Sequence, residues 1–173
     1  MTTFLRAALT SAVTACLLAA CATTSPSAPP TSPPSAQDIV ASIQAAGRSD
    51  DSAVRVTPLR EPSTEALVDA AQKDAAAGQY TQAATQLDKA LQEEPRAPDI
   101  LQDRAEMAIR LHHFDHAEQL ARASWNYGPK LGALCARNWQ TILEMRKLAQ
   151  DPAGEAAARK QRAACRVKGV VRM

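Results

Sequence analysis

Apolar and polar positions divide the chain into stretches of different character. Residues 7–18 are largely apolar, carry no charge and follow directly on Arg6. That length suits the core of a signal peptide and falls short of the roughly 20 residues a bilayer-spanning helix needs. From Thr23 to Ser35 the chain is almost entirely Thr, Ser, Ala and Pro. Pro26, Pro29, Pro30, Pro33 and Pro34 exclude regular helix or sheet there and predict a disordered, extended linker. Ile39, Val40 and Ile43 give one apolar face to a short helix over 38–46, with Gly47 as its stop. Residues 48–62 are polar, end in Pro58 and Pro62, and read as further linker around a brief extended piece at Val54 and Val56. Beyond Ser63, apolar positions recur with helical period and predict helices over 64–77, 80–93, 98–111, 114–126, 131–148 and 152–166. Ser63 is placed to cap the first of them, and Asp151-Pro152 supplies a cap and first-turn proline for the last.

The helical part repeats itself at a spacing of 34 residues. Leu67 returns as Leu101, Ala71 as Ala105, Tyr80 as Phe114, Ala83 as Ala117, Ala90 as Ser124 and Pro95 as Pro129. In the first copy Gly78 turns the chain, Tyr80 fills the corner, Ala83 and Ala90 admit a close helix neighbour, and Pro95 ends the pair. This order resembles the tetratricopeptide signature. The second copy departs from it at His112, where the turn glycine would sit, and at Ala121, where a larger apolar residue is usual; Trp125 and Tyr127 are available to supply bulk. Residues 131–166 fall at the distance of a third pair without the signature, as a degenerate or capping repeat would. The resemblance implies an all-α fold, a short tetratricopeptide-type solenoid of about three helix pairs: 63–96, 97–130 and 131–166.

Composition agrees with that class. The 173 residues are 46% apolar but only 3% aromatic, which suits close-packed helices, and the length holds one compact domain with extensions. We therefore divide the chain into a leader (1–20), a linker with its short helix (21–62), a repeat domain (63–168) and a basic tail (167–173). Charge is unevenly spread: residues 38–129 carry 9 Lys and Arg against 15 Asp and Glu, whereas residues 130–173 carry 10 against 3. The C-terminal part, with Arg159, Lys160, Arg162, Arg166, Lys168 and Arg172, is thus suited to anionic partners such as peptidoglycan or anionic lipid, or is simply a solvated face. Nucleic acid is not expected as a partner of an exported protein.

Leu18-Ala19-Ala20-Cys21 resembles the lipobox of bacterial lipoproteins. Small side chains before the cysteine suit a protease site, and its thiol is the nucleophile for lipid transfer. Val13-Thr14-Ala15-Cys16 is the poorer match, because it leaves too short an apolar core. The resemblance implies a diacylglyceryl group on the Cys21 sulfur, cleavage after Ala20 and acylation of the new amine, typically by palmitate. Such an anchor tethers the protein to a membrane without spanning it. Ala22 stands where an inner-membrane retention signal would place Asp, which points to the periplasmic face of the outer membrane.

With Cys16 and Cys21 set aside, Cys135 and Cys165 remain. In a helical hairpin turning near residue 150 they lie about 15 residues either side of the turn, level with one another. They either bridge, as an oxidising envelope favours, or stay as two buried thiols. His112, His113 and His116 straddle a turn and read as turn residues, so no metal is assigned. Trp125 and Trp139 lie within helical apolar patterns and read as core. No phosphate loop, nucleophile elbow, zincin pair or dinucleotide fingerprint is present, so neither catalysis nor a cofactor is expected. Tetratricopeptide proteins receive a protein or peptide partner on the concave face formed by the first helix of each pair. In this register that face carries Gln72, Asp99, Gln102, Glu106, Arg110 and Gln140. The expectation is a membrane-tethered adaptor that binds an envelope protein or peptide.

Overall fold

A computed structural model describes residues 33–49 and 59–166. The lipobox with Cys21, most of the Pro-rich linker, the extended piece at Val54 and Val56, and the tail at 167–173 lie outside the described residues. Among those described, every regular element is an α-helix: α1 (Ala36–Ser49), α2 (Pro62–Ala76), α3 (Tyr80–Glu93), α4 (Pro98–Arg110), α5 (Phe114–Tyr127), α6 (Gly132–Leu148) and α7 (Pro152–Ala164). Helices α2 to α7 form three antiparallel pairs stacked in chain order, so the fold is a short tetratricopeptide-type solenoid.

The same turn closes the first helix of each pair. The N–H of Gln79 donates to the Asp74 carbonyl at 2.8 Å, that of His113 to Ala108 at 2.8 Å, and that of Asp151 to Arg146 at 3.0 Å. Before each donor sits a residue in the left-handed region: Gly78 (φ 77°), His112 (φ 61°) and Gln150 (φ 53°). Carbonyls at the helix ends are thereby satisfied, at the cost of crowding any residue that has a Cβ. From His112 to Gln150 is 38 residues rather than 34, because α6 has 17 residues where α4 has 13. One added helical turn therefore carries the third pair out of the 34-residue register. We expect His112→Gly and Gln150→Gly each to raise stability by about 0.5–1 kcal/mol, read as a higher urea midpoint at unchanged slope.

Small residues set the spacing between helices. Ala83, Ala90, Ala105, Ala108, Ala117, Ala121 and Ala136 are fully buried. Bulk beside Ala121 comes from Ile142 and Leu143 of α6, with Leu120 and Trp139 alongside. Trp125 meets Trp139 edge-on at 5.3 Å, whereas Tyr127 stays about half exposed beneath Arg96. Cys135 and Cys165 are joined by a disulfide between α6 and the end of α7, and the two tryptophans pack around it.

Two of the differences between the helix boundaries and the sequence expectation bear on packing. Pro62 is the first residue of α2 and Glu61 its cap, while Ser63 and Thr64 hydroxyls donate to Glu93 Oε2 at 3.0 and 2.7 Å and tie α2 to the end of α3. The second difference is larger. The short helix expected to end at Gly47 runs on to Ser49 and packs against α6 and α4 rather than standing free in the linker. Ile39, Val40 and Ile43 are buried against Ala108, Ile109 and Met145, each burial being worth about 1.5–3 kcal/mol. Gly47 is a point of close approach, since a Cβ there would lie 2.8 Å from Arg137 Cγ.

Candidate partner-binding site

The first helices of the three pairs, α2, α4 and α6, present the face on which the sequence places a partner. Helix α1 already occupies the α4 and α6 part of it. The residues named from the register therefore separate into two groups. Gln102, Glu106 and Gln140 are buried and hold the helices together. Gln102 Nε2 donates to Glu106 Oε1 at 3.1 Å and to Thr141 Oγ1 at 2.9 Å, and Gln140 Nε2 donates to Glu144 Oε1 at 2.6 Å. From α1, Gln44 Nε2 donates to Glu106 Oε2 at 3.1 Å and Ser42 Oγ to Glu144 Oε1 at 3.2 Å. Buried polar groups need such partners, because an unpaired one costs about 1–3 kcal/mol.

Arg137 of α6 is the centre of this network. It donates to Asp103 Oδ1 at 2.7 Å and to Glu106 Oε1 at 2.6 Å, both on α4. Burial works against its charge, but Glu106 and Asp103 outweigh that and hold the guanidinium pKa above its ordinary value. Burial pushes the Asp103 carboxyl up; Arg137 opposes the shift, and Glu106 and Asp99 add to it. Neither Asp103 nor Arg137 was singled out from the sequence, although they stand 34 residues apart and so occupy equivalent positions on adjacent first helices. Opposite charges at equivalent repeat positions were the signal that would have found them.

The other three residues stay within reach of a partner. Asp99 is half-buried and paired with Arg60, whose guanidinium also lies 3.5 Å from Glu65 and 3.8 Å from Glu94. Gln72 is exposed on α2. Arg110, at the end of α4, lies with its guanidinium 5.0 Å from the centre of the Tyr80 ring and donates to Tyr80 Oη at 3.2 Å and to Gln37 of α1. Gln72 and Arg110 border a pocket of about 380 Å³ between α1, α2 and α4. Its wall is apolar at Ala71, Ala75, Leu87 and Met107, and Gln44 forms its α1 side. The pocket is the part of the concave face that α1 leaves uncovered.

Elsewhere on the surface, Arg159 pairs with Glu155 at 2.9 Å and Arg162 donates to Gln140, so part of the basic C-terminal set is engaged within the domain. His112 packs edge-on against Phe114 at 5.6 Å, and among the described residues no group of three His, Cys, Asp or Glu side chains is arranged to hold a metal ion. Among those residues no helix is long and apolar enough to cross a membrane.

No protein-family model matches the sequence, and no curated protein matches it. The chain is similar to the solved structure of the globular C-terminal domain of P. aeruginosa LpoP, with 30% identity and a TM-score of 0.56. That match covers 61% of this chain and 99% of the LpoP domain. A complete helical domain is therefore shared in both sequence and fold, and the chain belongs to the same family as the LpoP C-terminal domain.

Proposed function

We infer that this protein is an adaptor of the bacterial cell envelope, anchored by lipid at Cys21 on the periplasmic face of the outer membrane, and that its helical domain holds a protein partner without catalysing a reaction. The observation that carries the reading is the pocket between α1, α2 and α4, which remains on the concave face where α1 covers the rest. Its apolar wall and polar rim suit a protein side chain or a short peptide segment. Kinship with LpoP supports the envelope setting, and the helical domain follows the linker here as the LpoP domain is C-terminal in its own protein. The anchor rests on the lipobox resemblance of Leu18-Ala19-Ala20-Cys21.

Anchor and binding module are separable on this reading. A Cys21→Ser variant is expected to leave the membrane fraction, melt at the temperature of the wild-type domain, and still be recovered with the same partner after crosslinking. A variant that stays with the membrane removes the anchor assignment. A variant that reaches the soluble fraction folded but without the partner ties binding to the membrane and removes the adaptor reading.

A further inference from the structure

Arg110, which lines the pocket, has no carboxylate partner among the described residues. At the pocket's inner end Arg137 bridges Asp103 and Glu106 through the contacts above, so both of these acids have a cationic partner. Arg110 lies two helical turns from Asp103, about 10 Å along α4, and no carboxylate among the described residues is within ion-pair distance of it. Its Nη1 is used by Tyr80 and Gln37, both neutral. Its Nε is buried with no acceptor, and no side chain among the described residues accepts from Nη2. The contact over the Tyr80 ring, with the hydrogen bonds to Tyr80 and Gln37, holds the guanidinium at the pocket before any ligand arrives.

Nη2–H of the held guanidinium is left to donate a charge-assisted hydrogen bond to a carboxylate oxygen. Beside it the wall at Ala71, Ala75, Leu87 and Met107 takes an apolar group. We propose that the α1–α2–α4 pocket is a receptor for an acidic segment of the partner protein, with a carboxylate side chain on Arg110 and a neighbouring apolar side chain against α2. This rests on the adaptor reading and names the chemistry of its partner. We take the occupant to be the partner protein of that reading, its carboxylate complementing the half-buried guanidinium of Arg110, which has no anion beside it among the described residues.

The test is selection of short randomised peptides on the detergent-solubilised full-length chain, in parallel with Arg110→Gln and Arg110→Lys. Expected is enrichment of Asp or Glu next to a large apolar residue on the wild type, with acidic peptides favoured about tenfold over their amide counterparts. Arg110→Gln removes that preference, and Arg110→Lys, which keeps charge but not the planar fork, retains only part of it. Circular dichroism melting checks that the variants fold; should Arg110→Gln fail to fold, the graded loss in Arg110→Lys decides. Equal enrichment on wild type and variant, enrichment of basic residues, or recovery of no acidic peptide overturns the proposal. A photocrosslinker at Gln72 separates this from failure of the adaptor reading. Capture of an envelope protein whose binding is indifferent to Arg110→Gln removes the carboxylate proposal alone, whereas an adduct to a second copy of this chain removes the heterologous occupant as well.

Discussion

Replacing Arg137 with alanine is expected to destabilise the domain by about 3–5 kcal/mol, the largest loss among the substitutions considered. The guanidinium is the partner of both Asp103 and Glu106, and Glu106 is only 2% exposed. Removing it leaves two acids of α4, three residues apart against α6, without the cation that offsets their desolvation. Helix α1 is affected too, because Gly47 packs on the Arg137 side chain and Gln44 bonds Glu106. The loss has a defined pH dependence. Asp103 already titrates above the ordinary carboxylate range, so its folded form prefers the proton more than the unfolded chain does. Without Arg137 that preference grows. The penalty is then full above the raised pKa and disappears as pH falls through it towards the unfolded carboxylate value. Urea unfolding of Arg137→Ala from neutral pH to about pH 4 checks this: the gap to wild type should narrow on acidification. A gap that is constant or widens contradicts the assigned role.

Loss of the Cys135–Cys165 disulfide is expected to cost about 3–4 kcal/mol, from the chain entropy released when a loop of 30 residues is opened. Helix α7 is especially dependent on it, since α7 packs against α6 and contributes little buried surface besides Ala158 and Cys165. A paired Cys135→Ser, Cys165→Ser variant should lose hydrogen-exchange protection over 152–164 first, while α2 to α5 keep theirs. Uniform loss across all helices would show instead that α7 is coupled to the whole stack.

Much of the fold can be read from the residues because repeats declare themselves twice. Tyr80 and Phe114, Ala83 and Ala117, and Ala90 and Ser124 locate two helix pairs, and the helices they imply match α3 and α5 at their starts. The third pair, expected over 131–148 and 152–166, is present as α6 and α7, and it lacks the signature because the added turn in α6 shifts Gln150 out of register and leaves a turn without glycine. Helix α1 is legible as a helix, but its docking is not. Its three apolar residues are correctly periodic, but periodicity says that a face is buried and not what buries it, and the intervening polar stretch reads as linker. Its docking changes the site most, because it turns Gln102, Glu106 and Gln140 from expected contacts into a buried network. Arg110 and Gln72 remain at the pocket that α1 leaves.

The most direct measurement places a photoreactive side chain at Gln72, and separately at exposed Lys89 on α3, in the lipid-anchored protein in intact cells. The account predicts that Gln72 yields a discrete adduct with an envelope protein, recovered in the membrane fraction, and that Lys89 does not. Equal adducts from both positions, or none from Gln72, would contradict a partner held on the face between α1, α2 and α4.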